Sequence, residues 1–232
     1  MTHKQFVAAL RELADPAAVA DTARFFHADP NARSRGNKVL GVHMGDVFPV
    51  AKQFAGLSLA DVERLLDSAY YEVRMGAVSI MDFQARAKRI TVDERKALFD
   101  LYIRRHDRIN NWDLVDRSAP HVVGGFLADK SRDVLYDLAR SANPWERRTA
   151  IVSTYYFIRA GDVDDTFKIA ELLMRDEHEL VQKAVGSWIR EAGKKDQPRL
   201  IRFLKTHAAS MPRTMLRYAV EKLPPATRKQ FI

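Results

Sequence analysis

The sequence predicts an all-α chain built from stacked pairs of antiparallel helices. Three observations lead there. Apolar residues recur at helical spacing along most of the chain, as at Val62, Leu65, Leu66 and Ala69, which follow the i, i+3, i+4, i+7 rule. Helix-start signals recur as well. Ser58 with Asp61, Thr91 with Glu94 and Asn143 with Glu146 each fit a capping box or a close variant, and Pro144 stands where a first helical residue belongs. Finally, YEVRMGAVSIM (71–81), WERRTAIVSTY (145–155) and HELVQKAVGSW (178–188) align without gaps, so that Glu72, Glu146 and Glu179 coincide, as do Val78, Val152 and Val185.

Taken in order, the pattern predicts helices over 3–13, 16–27, 46–55, 59–67, 70–88, 92–105, 111–127, 131–140, 144–160, 164–175, 178–193, 197–207 and 212–222. The first is short and amphipathic. Ser58, Thr91 and Asn143 start three of the others, and Asn111 is placed to cap the one that follows it. HADPNARSRGNK, 27–38, is the one long polar loop. No segment reads as a strand. The echoes are offset by 74 and 33 residues, near two repeats and one repeat of about 35 residues. That period belongs to helical-pair solenoids of the HEAT or armadillo kind, which stack into a curved superhelix with a concave face. One HEAT-like repeat domain over 1–232 is expected.

Composition narrows the function classes. The chain is 47% hydrophobic and can bury a core. Cysteine is absent, which excludes disulfides, thiol nucleophiles, iron–sulfur clusters and cysteine-ligated zinc. The seven histidines are scattered with no HExxH pair, and neither a phosphate-binding glycine loop nor a nucleophile elbow is present. MTHKQFVAALRELAD lacks an apolar signal region, and no stretch approaches the ~18 apolar residues of a membrane span. A cytoplasmic chain with no membrane partner is expected. The net charge is +8 and the pI about 9.7. The segment 186–232 holds 11 Lys/Arg against 3 Asp/Glu, whereas the rest of the chain is balanced. A basic region on a neutral body suits a polyanion, and equally a solubilising surface.

Helical wheels separate faces. In 178–193, Val181, Ala184, Val185 and Trp188 form one apolar stripe, which makes Trp188 a core residue. Lys183, Ser187, Arg190, Glu191 and Lys194 lie on the other side. In 144–160, Arg148, Tyr155 and Arg159 fall on one line. Guanidinium and phenol groups in a row suit phosphate contacts; pairing of Arg148 with a carboxylate of a neighbouring repeat suits it as well.

The stretch RINNWDLVDRSAP, 108–120, sets Trp112 and Asp116 one helical turn apart on one side. An indole face and a carboxylate together favour a cation. Alkylated purines are cationic substrates that a basic protein can meet on DNA. Cleaving their N-glycosidic bond builds positive charge on the sugar, which a carboxylate stabilises while holding a water. The structural alternative is that Asn111 caps the helix, Asp113 and Asp116 favour its N-terminus, and Trp112 packs between repeats.

Four motifs carry a resemblance. NNWDLVDRSAPHVVGG, SANPWERRTAIVSTYYFIRAG, QKAVGSWIREAGKKD and MPRTMLRYAVEKL, in this order and spacing from about residue 40 onward, resemble the DNA alkylation repair glycosylases of the AlkD type. The resemblance implies a right-handed superhelix of HEAT-like repeats with a basic concave face. It further implies a monofunctional glycosylase that removes N3- or N7-alkylpurines from double-stranded DNA, acts as a monomer and needs no metal or cofactor. Carried over, Trp112 faces the lesion sugar, Asp116 is the catalytic carboxylate and Arg148 is the phosphate-side arginine. Arg147, Tyr155, Arg159, Lys183, Ser187, Arg190 and Lys194 would lie toward DNA. Two departures stand out. The family tryptophan before the "RE" of GSWIRE falls on Ser187, and Trp188 comes one place later. The loop carries Arg33, Arg35 and Lys38, which would add phosphate contacts, and Phe25 or Phe26 matches a lesion-side aromatic more loosely. A non-catalytic binder of branched or distorted DNA is the alternative that Ser187 motivates, and a scaffold for a protein partner is the third.

Overall fold

The structure, a computed structural model, describes residues 1–20 and 37–232. Among these residues it is all-helical, with no strand and one isolated parallel bridge between Lys38 and Tyr70. No described helix is long and apolar enough to cross a membrane. The chain divides into two compact units, Met1–Val123 and Gly124–Ile232.

The first unit contains α1 (His3–Glu12), α2 (Met44–Gln53), α3 (Leu59–Leu66), α4 (Tyr71–Ala85), α5 (Val92–Arg104) and α6 (Trp112–Ala119). Its centre is α4, in which every residue from Tyr71 to Asp82 is buried. A helix covered on all sides needs partners on all sides, and α2, α3 and α6 supply them. The start signals act as their chemistry dictates. The Thr91 and Glu94 side chains cap each other's backbone N–H groups, and the Ser58 hydroxyl accepts from the Asp61 N–H.

The second unit contains α7 (Asp133–Ala139), α8 (Pro144–Ser153), α9 (Tyr155–Arg159), α10 (Asp164–Leu172), α11 (Glu179–Gly193), α12 (Gln197–His207), α13 (Arg213–Val220) and α14 (Pro225–Arg228). Helix α8 packs on α7 and α11, and α11 packs on α13. The three echoing segments are the starts of α4, α8 and α11. Val78, Val152 and Val185 are fully buried, and so are the aromatic rings that open each segment, Tyr71, Trp145 and His178. The echo is therefore a packing register. At the next position it carries Ser79, Ser153 and Gly186. A Cβ on Gly186 would stand 2.4 Å from the Met215 carbonyl oxygen, so α11 and α13 approach too closely for a methyl group.

Several boundaries differ from expectation for identifiable reasons. The helix expected over 111–127 ends at Ala119 and continues as a π turn, Pro120–Gly124, and a 3-10 turn, Leu127–Asp129. Pro120 has no N–H to give to the Asp116 carbonyl, so the α register cannot run through it. The helix expected over 144–160 breaks at Thr154. There the Ser153 and Thr154 hydroxyls donate to the Thr149 and Ile151 carbonyls, each at 2.7 Å, in competition with the helix's own ladder. The α14 turn was not expected. Of 16–27, residues 16–20 are described and open with a 3-10 turn, Pro16–Ala18; residues 21–27, with Phe25 and Phe26, and also Arg33 and Arg35 of the loop, lie outside the described residues.

Candidate functional site

The site is built on α6. Asn111 takes an extended backbone and its side-chain oxygen accepts from the Trp112 N–H at 3.0 Å, which fixes the helix start. Leu114, Val115 and Ser118 are buried against the core of the first unit. The spacing then leaves Trp112, Asp113 and Asp116 on the other side, and all three are half-buried. Together with Met44 and Phe48 of α2 and Tyr71 and Met75 of α4, they line a cavity of about 570 Å³. Its walls are mostly apolar and its carboxylates converge.

One wall is the segment before α2, whose Val42 and His43 also line the cavity. Glu72, fully buried, holds this segment in place. Its carboxylate accepts from the Leu40 N–H at 3.0 Å, the Gly41 N–H at 2.9 Å and the Val42 N–H at 3.4 Å. The turn needs glycine at position 41. There φ is +87°, and a Cβ would meet the Asp15 carbonyl oxygen at 2.2 Å.

The electrostatics of the floor come from four side chains. The Tyr71 hydroxyl donates to Asp113 Oδ2, and the Leu114 N–H donates to Asp113 Oδ1 at 3.0 Å. Burial pushes the Asp113 carboxyl up to about 6, Tyr71 and the backbone N–H groups pull it down, and the Asp116 charge adds to the rise. Burial and the Asp113 charge hold the Tyr71 phenol well above its ordinary value, so it remains a donor. Arg117 also lines the cavity, but its charge is engaged beneath it. Its guanidinium stands 2.8 Å from buried Asp82 and donates to Ser79 Oγ at 3.1 Å, between the Phe48 and Phe83 rings. Asp82 also meets His121 Nδ1 at 2.9 Å and Arg86 at 3.2 Å. An apolar cavity bearing an indole face and two carboxylates is suited to a cation. Among the described residues, no group of three or more His, Cys, Asp or Glu is placed to hold a metal ion.

The family model described as "DNA alkylation repair enzyme" matches residues 6–223. The chain belongs to the DNA alkylation repair enzyme family. Among solved structures, one titled "Predicted DNA alkylation repair enzyme from Enterococcus faecalis" shares the fold. Its TM-score is 0.69 at 16% sequence identity, and the match covers 91% of this chain and 97% of that one. No curated protein matches the chain.

The remaining residues that the family resemblance points to are placed as follows. Lys38 is exposed; its N–H donates to the Ala69 carbonyl and its carbonyl accepts from the Tyr71 N–H. In the second unit of this repair-family chain, Arg148 is 7% exposed and donates through Nη1 to the Leu180 carbonyl. It occupies the echo position of Arg74, which is likewise buried and donates to the Ser68 carbonyl at 2.7 Å. Arg147 binds both oxygens of Asp176, at 2.5 and 3.0 Å, and the Ser141 and Ala142 carbonyls. Lys183 pairs with Glu179 at 2.8 Å and Lys194 with Glu191 at 2.7 Å, while Arg190 meets Glu191 and Glu221. The break at Thr154 divides the expected line of Arg148, Tyr155 and Arg159, and of the three only Arg159 is exposed. The core assignment of Trp188 is corrected. Val181, Val185 and Ile189 form the buried seam of α11, so Trp188 falls at its edge, half-buried, with its ring 4.9 Å from that of Tyr155. Ser187 is half-buried beside it.

Sequence reasoning missed Tyr71, Phe48 and Arg117 as parts of the cavity, and gave Asp113 only a helix-start role. The echo held one usable signal, because it places Tyr71 in register with two other buried rings.

Proposed function

We propose that the chain is a monofunctional DNA glycosylase that hydrolyses the N-glycosidic bond of cationic N3- or N7-alkylpurines in duplex DNA, as a monomer and without a metal or cofactor. The observation that carries this reading is the convergence of Trp112 and Asp116 on one largely apolar cavity. The alkylated base carries one positive charge. As the bond from C1′ to the base nitrogen breaks, the bonding electrons go to the base, which leaves neutral, and the charge passes to the sugar. Asp116 beside that sugar stabilises the transition state more than the ground state. Water adds at C1′, its proton passes to a carboxylate or to solvent, and the products are a free base and an abasic sugar. Trp112 presents its π face to the same developing cation. Exposed cations such as Lys38 and Arg159 contact phosphates.

The test is release of free 7-methylguanine or 3-methyladenine from alkylated duplex, by protein shown to bind DNA. Release above the no-enzyme rate is expected, and Asp116→Asn should lower it at least about tenfold. No release, or an Asp116→Asn variant as fast as the wild type, refutes the assignment.

One observation favours a second reading. Ser187 stands where the resemblance expects a tryptophan, which removes one aromatic wall. A non-catalytic binder of branched or distorted DNA would bind with a steep salt dependence, release no base and be indifferent to Asp116.

A further inference from the structure

We propose that Tyr71 and Asp113 form a positioning pair that sets whether the cavity presents one carboxylate charge or two to a cationic substrate. The proposal rests on the glycosylase reading of the same site. Tyr71 opens α4 in register with Trp145 and His178, which pack on each other with ring centres 5.3 Å apart. A buried ring at this register serves packing. The Tyr71 hydroxyl does something further, because it reaches across to α6 and donates to Asp113.

The chemistry of the donor matters. An arginine or lysine on Asp113 would stabilise the carboxylate and cancel its charge. A phenol stabilises the carboxylate and leaves its charge to act on the cavity. The groups facing Asp113 bear this out. From α6 they are Asp116 and Arg117, and Arg117 is paired with Asp82 at 2.8 Å. From α4 they are Tyr71 and Arg74. Arg74 donates to the Ser68 carbonyl at 2.7 Å and to the side-chain oxygens of Asn37 and Asn110. Arg108, before α6, donates to the carbonyls of Leu66, Asp67 and Ser68, and His43 lines the opposite wall. Among the described residues, the hydrogen bonds to the Asp113 carboxylate come from Tyr71 and from backbone N–H groups, its own and that of Leu114, and no Lys or Arg pairs with it.

Burial holds the Asp113 carboxyl up at about 6. Below that pH the proton stays on and Asp116 acts alone; above it, both carboxylates face the sugar. The rate of base release therefore rises through about pH 6 and then levels. Tyr71→Phe removes the bond that favours the ionised form, so the acidic limb moves to higher pH by about one unit. Asp113→Asn removes the limb and lowers release at pH 7.5 about tenfold.

The experiment measures single-turnover release of 7-methylguanine across pH 4.5–8.5 for the wild type and both variants. A second readout is independent of catalysis. Each protein is titrated with a duplex carrying a pyrrolidine cation in place of the lesion sugar, and with its uncharged tetrahydrofuran counterpart. Preference for the cation should step up between about pH 5 and 7 in the wild type, at higher pH in Tyr71→Phe, and not at all in Asp113→Asn. Variants that slow release by one factor at every pH and show no step would overturn the pair and leave the glycosylase reading standing. A step in cation preference without base release would overturn the glycosylase reading and support the pair. Absence of both overturns both.

Discussion

Replacing Glu72 by alanine probes the joint between the core of the first unit and the cavity wall. The Glu72 carboxylate is fully buried and accepts two well-formed backbone hydrogen bonds, at 3.0 Å from Leu40 and 2.9 Å from Gly41, with a longer one of 3.4 Å from Val42. Hydrogen bonds to a charged group are worth about 1.5–3 kcal/mol each. Arg74, also buried, loses a neighbour that favours its charge. Relaxation of the segment and entry of water return part of the loss, so the expected destabilisation is about 3–5 kcal/mol, the range for breaking a buried charged cluster. At a typical urea slope of about 1–3 kcal/mol per molar, the midpoint falls by roughly 2 M. Two compact units need not unfold together, so the reporter matters. Trp112 fluorescence in a Trp145→Phe, Trp188→Phe background follows the first unit. Glu72→Gln, which keeps the volume and one acceptor, should lose about half as much. A loss below about 1 kcal/mol for Glu72→Ala, with Trp112 emission unchanged, would refute the claim that these bonds hold the wall.

Other expectations follow from the same contacts. Arg147→Ala leaves the Asp176 side chain, 2% exposed, without its bidentate partner, and should cost the second unit about 3–5 kcal/mol in urea unfolding; removing Asp176 as well should restore part of the loss. Gly186→Ala forces a methyl into the 2.4 Å approach of the Met215 carbonyl and should destabilise by about 1–3 kcal/mol in thermal melts, whereas an unchanged melting point would contradict the α11–α13 contact. Asp113→Asn tests the raised carboxyl. With a folded value of about 6 against about 3.9 unfolded, the folded protein binds the proton more tightly. That stabilisation is present below about pH 4 and is lost as pH rises through 6. The variant cannot ionise, so it should gain on the wild type over this window by about 2–3 kcal/mol, and a difference in midpoints that is flat with pH would disprove the shift.

The fold was legible because the signals that specify it are local. Thr91 and Glu94 cap one another through atoms three residues apart, and the period of the echo survives even where identities do not, as with Tyr71, Trp145 and His178. The breaks were less legible. Pro120 was visible, but its effect depends on the surrounding turns accepting a π register instead of a stop. Trp188 reads as a core residue because the stripe of Val181, Ala184, Val185 and Trp188 leaves out Ile189 and Ala192, whose burial turns the seam away from the indole. The true seam is set by the small and branched residues that fit between helices, Val181, Val185 and Ile189. In the site, Trp112 and Asp116 were readable from spacing. Tyr71 was not, because its partner Asp113 stands 42 residues away, and only the packing of α4 on α6 joins them.

A chain with a net charge of +8 attracts every stretch of DNA, damaged or not, so attraction alone cannot select a lesion. Under the proposed function, selection falls to the opposite sign of charge, held in a small apolar space. A carboxylate about 5 Å from a cation, at an effective dielectric constant near 20, contributes about 3 kcal/mol, or more than a hundredfold. A neutral purine at the same place receives none of this. The value depends on keeping nearby cations from cancelling the carboxylates, and Arg117, which lines the cavity, is bound by buried Asp82 at 2.8 Å. Asp82 thus sustains the field of a cavity that it does not line. On this account Asp82→Asn would release Arg117 toward Asp116 and weaken discrimination between alkylated and ordinary purines more than it weakens binding to undamaged DNA. The two affinities, measured at one salt concentration, decide it: a proportional fall in both would show that Asp82 merely supports the fold.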